Sequence, residues 1–528
     1  MTVEATTATV DALLAREDFG TLSEMLAAHA AERPDHPAVI EGSDRLTYAE
    51  LNTRVDRVAA ALQRDGAQDG KKLHSIAVVS YSCVDYVTVF AGALRAGLAV
   101  APLPPSATPE QIAVMAQDSD AGHLFWDAPN AAALADVADR LPARRIRFDT
   151  PEFEAWLAPE GARPAPAPVT PEMPFNIIYS SGTTGTPKGI VQPHGMRWLH
   201  MQRAVAYGYD RDAVTLLSTP LYSNTTLVSL FPTLAGGGTV VLMAKFDVGT
   251  FLELAQKHRV THTMLVPVQY RRIMAHPDFD TYDLSAFRAK FCTSAPFAAE
   301  LKADILKRWP GKLLEFYGMT EGGGTCILAA HDHPDKLHTV GQAAPGHDIR
   351  LIGEDGKEVA AGEIGEVVGT SGAIMTDYHK QPQKTAEAEW FDESGRRFIR
   401  TGDMGRFDAD GFLQLMDRRK DMIISGGFNI YPSDLEGVLR EHPAVYDVAV
   451  VGVPSDDWGE TPVAFVVLAP GKAVSATDLL GWANAKLGKM QRLSAVEFRE
   501  VLPRSAIGKV LKRELRDEYG AMAAKKSA

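Results

Sequence analysis

An α/β fold follows from three features of the sequence. Short apolar, β-branched runs recur along most of the chain, amphipathic helical patterns fall between them, and from residue 420 onward the order changes to helix, strand, strand, helix, strand, helix. At 528 residues the chain exceeds what one hydrophobic core serves. We therefore expect a large, multi-lobed α/β domain of layered sheets and helices over residues 1–419, followed by a small α+β domain over residues 420–528.

Thr21-Leu22-Ser23-Glu24 reads as a capping box opening a helix, with Leu22, Met25 and Leu26 on one face and Pro34 ending it. Thr47-Tyr48-Ala49-Glu50 repeats the signal. Residues 76–79 read as a buried strand, residues 86–95 as a helix and residues 98–103 as another apolar segment. The stretch 159–174 holds six prolines among alanines, which predicts an extended surface linker dividing the large domain into two lobes. Beyond it, apolar runs at 239–243, 263–266 and 290–293 alternate with helical patterns such as 251–258. In the second domain the helices are expected at 435–440, 477–487 and 510–517, and the strands at 445–451, 463–468 and 495–501.

Composition narrows the class. With 54 Lys and Arg against 67 Asp and Glu, the net charge of −13 argues against nucleic-acid or anionic-membrane binding, yet leaves room for a local basic pocket. Cys83, Cys292 and Cys326 are widely separated and form no CxxC pair, so neither a zinc site nor a disulfide framework is expected and a reducing cytoplasm suits the chain. The acidic N-terminus lacks a signal pattern, and no apolar run approaches a membrane span.

The run Tyr179 to Gly189, YSSGTTGTPKG, carries the strongest chemical signal. Glycines let backbone N–H groups approach an anion, while hydroxyls and a lysine add donors and charge, so the loop is expected to bind phosphate. It is no Walker A loop, because Lys188 lies between Pro187 and Gly189. Further along stand TPLYSNTT (219–226), CTSAP (292–296), EFYGMTE (315–321), RTGD (400–403), DRRKDMIISGGFNIYP (417–432) and LPRSAIGKVLKREL (502–515).

In this order the seven segments resemble the motifs of the AMP-forming acyl-CoA synthetase superfamily, which holds acyl-CoA synthetases, aryl-CoA ligases, adenylation domains and luciferases. The resemblance spans residues 20 to 516 and implies a large N-terminal domain with a mobile C-terminal one. It carries Ser180, Ser181, Gly182, Thr183, Thr184, Gly185 and Lys188 over as the grip on the β- and γ-phosphates. Tyr317, followed by Gly318 and Met319, resembles the adenine-stacking ring, with Ser294, Ala295 and Pro296 bordering the base. Thr320 is similar to the residue touching the α-phosphate, and Glu321 to the one holding Mg2+. Asp403 resembles the acceptor for the ribose hydroxyls, helped by Arg418. Lys420 stands at the hinge position, Ser425, Gly426 and Gly427 at the pantetheine tunnel of CoA, and Lys509 at the catalytic lysine bridging the substrate carboxylate and the α-phosphate.

The implied reaction activates a carboxylate, a poor electrophile, by exchanging its oxide leaving group for AMP before a thiol attacks. Transition-state charge on phosphorus calls for preorganised donors and a metal ion. ATP, Mg2+, a carboxylic acid and CoA are the expected ligands. Many relatives carry a histidine or aromatic ring after the Pro-Leu-Tyr stretch, whereas Tyr222 is followed here by Ser223-Asn224, and Gly322 and Gly323 follow the magnesium glutamate. These five residues predict a roomy acyl pocket with hydrogen-bonding capacity, suited to an aryl or a medium-to-long-chain acid. Two other readings stand beside the ligase: an enzyme loading a phosphopantetheine carrier protein, and a non-catalytic nucleotide sensor. The short stretch after Lys509 favours free CoA over an appended carrier, and keeping Lys188, Glu321, Asp403 and Lys509 argues against the sensor. A homodimer is compatible with the family, but no interface is legible.

Overall fold

Thr21 caps the helix Leu22–Glu32 through the expected box: its side chain accepts from the Glu24 N–H, and Glu24 reaches back to the Thr21 backbone. Such caps contribute about 1 kcal/mol each. Thr47 and Glu50 exchange the same pair of bonds, at 2.8 and 3.3 Å, before the helix Tyr48–Gln68. At the helix Val84–Arg95 the cap is a thiol, since Cys83 Sγ accepts from the Tyr86 N–H at 3.4 Å. The computed structural model describes residues 10–68, 73–180, 187–418, 421–425, 428–455, 458–488, 491–505 and 508–527.

The chain forms two compact units. The first takes Met1–Leu337, Ala343–Asp348 and Thr370–Ile399. Within it a six-stranded sheet runs in the order Arg144–Arg147, Ala121–Trp126, Ser75–Val79, Ala99–Pro102, Pro174–Ser180 and Lys188–Pro193. A larger sheet includes, in spatial order, Cys326–Ala329, Lys312–Tyr317, Ala289–Cys292, His262–Leu265, Val214–Leu217, Thr239–Leu242 and Pro37–Glu41. One hydrophobic core joins Ile76, Val78 and Val100 of the smaller sheet to Leu217, Val240 and Leu242 of the larger one through side chains of the helices Leu22–Glu32, Tyr48–Gln68, Val84–Arg95 and Asn224–Gly236. Helices are thus the filling between two sheets, each burying its apolar stripe.

The proline-rich stretch lies between strands of one sheet. Ala99–Pro102, which precedes it in sequence, and Pro174–Ser180, the strand that follows it, are parallel neighbours in one sheet, with Val100 opposite Asn176. The stretch is a surface connection fastened to one helix: Gln63 and Ala165 exchange two hydrogen bonds at 2.8 and 2.9 Å. Proline removes ladder donors, so it excludes strand pairing without implying a lobe boundary.

The second unit takes His338–Gln342, Ile349–Gly369 and Arg400–Ala528, and so extends to residues well before 420. Its C-terminal sheet orders Phe428–Ile430, Ile423–Ser425, Gly459–Leu468 and Val445–Ser455, with Ala495–Phe498 parallel to Gly459–Leu468. Strand alternation sorts its two faces. Val448 and Val450 pack with Leu435, Leu439 and Leu479 of the helices Pro432–Arg440 and Ala476–Lys486, while Ala449, Val451 and Val453 pack with Leu515 of the helix Lys512–Ser527. Among the described residues, no helix is long and apolar enough to cross a membrane.

Burial sets a pH limit on the first unit. His262 Nε2 lies 3.0 Å from the Tyr207 carbonyl and its ring stacks on Tyr209 at 4.7 Å; burial pushes it, like His194, down to about 4 from 6.5. Both rings are neutral when folded and protonate more readily once unfolded. Stability held above pH 6.5 is therefore lost as the pH falls toward 4, by up to about 1.4 kcal/mol per pH unit for each ring. Thermal melts across this window should show a falling Tm, with a shallower slope for His262→Gln; a flat profile would contradict the assignment.

Candidate active site

Strands Pro174–Ser180 and Lys188–Pro193 form an antiparallel hairpin with Ser180 opposite Lys188, so the loop rich in glycine and threonine leaves and re-enters a buried sheet. Ser181, Gly182, Thr183, Thr184 and Gly185 lie outside the described residues. At the foot of the loop, Lys188 Nζ sits 4.8 Å from the centroid of the Tyr378 ring, and the Tyr378 hydroxyl donates to Glu321 Oε1 at 2.8 Å. Burial and the Glu321 carboxylate push the Tyr378 phenol well up, so it remains a donor at neutral pH. Tyr378 was not anticipated. Its position depends on a segment far along the chain, and a tyrosine in MTDYHK carries no local signal.

The segment 373–379 is a backbone strap. On one side Thr376 N–H donates to Val191 O at 2.9 Å and His379 N–H to Gly189 O at 2.7 Å; on the other, Met375 N–H donates to Glu321 O at 2.7 Å and Gly323 N–H to Ala373 O at 3.0 Å. Lys188 and Glu321 are thereby set on either flank of one tyrosine. Gly322 allows this approach: its φ is +72°, and a Cβ there would stand 2.3 Å from Ala373 O. The space opposite this glycine is filled by the strap and by Met196, so the missing side chain lets both pack against the backbone.

A buried polar network lies beneath. Gln192 Oε1 accepts from Asn176 Nδ2 at 2.9 Å and from Arg197, while Gln192 Nε2 donates to the Thr320 carbonyl at 2.6 Å and to Asn224 Oδ1 at 3.4 Å. Arg197 also donates to Asn176 Oδ1 at 3.1 Å, and its guanidinium lies 5.8 Å from the centroids of both the Phe175 and Phe231 rings. With no carboxylate among the described residues to offset its burial, its guanidinium is pushed down to about 9. The network fixes the backbone of Thr320 and the first turn of the helix Asn224–Gly236. Its sequence signal was a polar residue inside an otherwise apolar strand, GIVQP, a pattern that buried hydrogen bonding explains.

Ser223 is buried and Tyr222 half-buried at the start of that helix. Thr225 Oγ1 lies 2.7 Å from Ser294 Oγ, and Ser294 adopts φ +80°, uncommon for a residue with a side chain. Strained backbone of this kind clusters at functional sites. Ala295 and Pro296 follow it. Tyr317 ends the strand Lys312–Tyr317 opposite Cys326, with Gly318 next and Met319 packed against Ile190, Met375 and Tyr378.

In the second unit, Arg400 pairs with the buried Glu366, Thr401 Oγ1 donates to Val367 O at 2.9 Å, and Asp403 N–H donates to Thr401 Oγ1 at 3.0 Å. The RTGD turn is thus anchored, with Asp403 opposite Arg418 beside a register shift in the ladder. The Arg418 side chain, Lys420, Gly426 and Gly427 fall outside the described part; Ser425 is buried opposite Gly459. Lys509 sits on a turn closed by a bridge between Arg504 and Val510, in which Ser505 N–H donates to Lys509 O at 2.8 Å and Lys509 N–H to Ser505 Oγ at 3.2 Å. Arg504, unforeseen, holds the turn by pairing with Asp447 and donating to Gly508 O at 2.6 Å.

A layered α/β unit bearing a phosphate-type loop, together with a small α+β unit bearing a turn-mounted lysine, defines the scaffold of an adenylate-forming enzyme. The chain belongs to the AMP-binding enzyme family, whose profile matches residues 26–379, and the profile of the AMP-binding enzyme C-terminal domain matches residues 434–509. A feruloyl-CoA synthase of an Amycolatopsis species is 34% identical over 493 residues, covering 92% of this chain and 96% of that protein. A fatty acid–[acyl-carrier-protein] ligase, ScoC, of Streptomyces coeruleorubidus is 31% identical over 522 residues, covering 96% and 98%. Among solved structures, ATP-bound MatB from Rhodopseudomonas palustris superposes with a TM-score of 0.85 at 28% identity, covering 95% of this chain and 99% of that one. The expected fold class holds, and by family the chain is an AMP-forming acid–thiol ligase.

Proposed function

We propose that this enzyme is an ATP-dependent carboxylate–CoA ligase acting on aryl acids. The observation that carries the reading is the Lys188–Tyr378–Glu321 arrangement, an ammonium and a carboxylate held on one tyrosine at the foot of a phosphate-type loop. The ammonium suits the outer phosphates of ATP. The Glu321 carboxylate, turned by the Tyr378 hydroxyl and without a cationic partner among the described residues, fits a hard divalent cation. Magnesium there would neutralise phosphate charge as the transition state develops.

In the first half-reaction the acid's carboxylate oxygen attacks the α-phosphorus and the bond to pyrophosphate breaks. Thr320, whose carbonyl is held by Gln192, orients the α-phosphate, and Lys509 bridges it to the attacking carboxylate. Tyr317 and the Ser294–Pro296 turn hold adenine, while Asp403 accepts from the ribose hydroxyls with the help of Arg418. In the second half the CoA sulfur attacks the acyl carbonyl, AMP leaves and the thiol proton passes to solvent. The small domain turns about Lys420 to bring Ser425, Gly426 and Gly427 to the pantetheine, a lid motion that serves both halves.

Two features support an aryl acid. The pocket gate is polar, since Asn224 sits at the end of the Gln192 network. One helical turn onward, Val228 packs on the same aromatic-rich cluster as Tyr207 and Phe316, whose rings meet edge to face at 5.5 Å. The similarity to a feruloyl-CoA synthase points the same way. Purified enzyme should be given ATP, Mg2+ and a panel of hydroxycinnamates, benzoates, octanoate, palmitate and acetate, with and without CoA. CoA-dependent AMP and aryl-CoA formation is expected. A preference for octanoate or palmitate would replace the acid class. Pyrophosphate release with no thioester would instead support a separate carrier protein, in line with the similarity to ScoC, and no turnover with any acid would refute the ligase reading.

A further inference from the structure

The helix His194–Ala204 carries three side chains in one stripe, Met196, His200 and Arg203. The stripe lies along the loop that follows Glu321. Met196 Cε would stand 2.9 Å from a Cβ at Gly322, and Arg203 3.7 Å from one at Gly346. The same loop sends Thr325 N–H to His347 Nδ1 at 3.0 Å, while Ala344 N–H returns to Thr325 O at 2.9 Å.

These contacts produce an excess of donors. Because Nδ1 of His347 accepts from Thr325, the neutral ring carries its hydrogen on Nε2. That nitrogen lies 2.5 Å from Arg203 NH1, which can only donate. Two donors therefore face each other. His200 Nδ1 is buried beside them without a partner. Among the described residues no carboxylate pairs with Arg203. The charged and titratable neighbours acting on this group are Arg197, Arg203, His200, His347 and Tyr207, none of them acidic. Burial and the nearby guanidinium of Arg203 push His347 down to about 4; burial, Arg197 and Arg203 push His200 to about 3. Both rings are neutral at pH 7, leaving Arg203 as a permanent cation flanked by neutral imidazoles.

An arrangement of this kind is satisfied by an oxygen acceptor entering from outside the chain. Tyr207, three residues beyond the end of this helix, meets the Phe316 ring edge to face, next to Tyr317, and Val228, one turn beyond Asn224, packs on the same buried cluster. We propose that Arg203, His347 and His200 form a subsite that fixes the far end of the substrate, selecting acids that bear an oxygen acceptor remote from the carboxylate being activated. The inference rests on the reading that Asn224 and the 322–325 loop border the acyl pocket. A ring hydroxyl, a ring methoxyl and a second carboxylate share this chemistry.

The test compares cinnamate with 4-hydroxycinnamate, 4-methoxycinnamate and 4-carboxycinnamate in wild type, Arg203→Met and Arg203→Lys. Wild type should prefer at least one oxygenated acid in kcat/KM. The ratio of that acid to cinnamate should fall about ten- to hundred-fold in Arg203→Met and be partly restored in Arg203→Lys, with KM for ATP unmoved. The oxygenated acid that loses most names the source of the acceptor. Equal loss for cinnamate and every oxygenated acid, or no wild-type preference, would overturn the subsite. Calorimetric binding of the same acids separates this proposal from the ligase reading. If no acid supports ATP turnover yet 4-hydroxycinnamate or 4-carboxycinnamate binds wild type and not Arg203→Met, the subsite stands and the ligase reading falls. If cinnamate binds as tightly as each oxygenated acid, the subsite falls alone. Matched thermal melts of the variants exclude misfolding as the cause.

Discussion

Lys509→Met is expected to lower ATP–pyrophosphate exchange by about 10²–10³-fold while leaving thioester formation from pre-made acyl adenylate nearly unchanged. On the proposed role of Lys509, the change removes a fixed positive charge where negative charge gathers on carboxylate and phosphate, and methionine keeps most of the side-chain volume. The turn itself should survive, because it is held by Ser505, by Arg504 and by the bridge to Val510, none of which involves the lysine ammonium. A parallel variant, Arg504→Ala, removes the pairing with Asp447 and the bond to Gly508 O. It should reduce exchange less, by loosening the turn without deleting the charge. Equal loss of both half-reactions in Lys509→Met would rule out an adenylation-specific role.

Gly322→Val should cost both stability and ATP use. A β-branched residue at φ +72° is strained, and its Cβ would meet Ala373 O at 2.3 Å, so the strap must shift. Because the strap carries Tyr378 to Lys188 and Glu321, the arrangement proposed to meet phosphate and magnesium moves with it. We expect destabilisation of about 1–3 kcal/mol and a fall in kcat/KM for ATP of roughly 10- to 100-fold. Gly362→Ala is the control. Its φ is +84°, but nothing lies within 4 Å of a Cβ there, so it carries the backbone strain alone and should leave ATP kinetics unchanged. If both variants lose stability and neither alters ATP use, the strap has no part in nucleotide handling.

How far the site could be read in advance depended on whether its parts were local. The phosphate-type loop, the TE pair at 320–321, RTGD and the lysine turn are contiguous, and contiguous segments carry their chemistry in their residue types. Tyr378, Gln192 and Arg504 act through partners elsewhere in the fold: Tyr378 lies 57 residues from Glu321, Gln192 lies 128 from Thr320 and Arg504 lies 57 from Asp447. No window of sequence holds both members of such a pair. The proline-rich stretch shows a different limit. Its composition described the stretch itself, an unpaired surface segment, but not which strands would pair around it.

The sequence by itself determined the alternation of helices and strands, the caps at Thr21 and Thr47, the two-part α/β and α+β organisation and the family, because each of these is written in short-range pattern. Tertiary structure alone decided that strands on both sides of the prolines share a sheet and that a strap sets Tyr378 between Lys188 and Glu321. It also decided that Arg203 meets His347 with no acid among the described residues to receive it. The physical reason is common to all three: a hydrogen bond or an ion pair is a property of two groups at a distance of a few ångströms, and only the folded chain sets that distance.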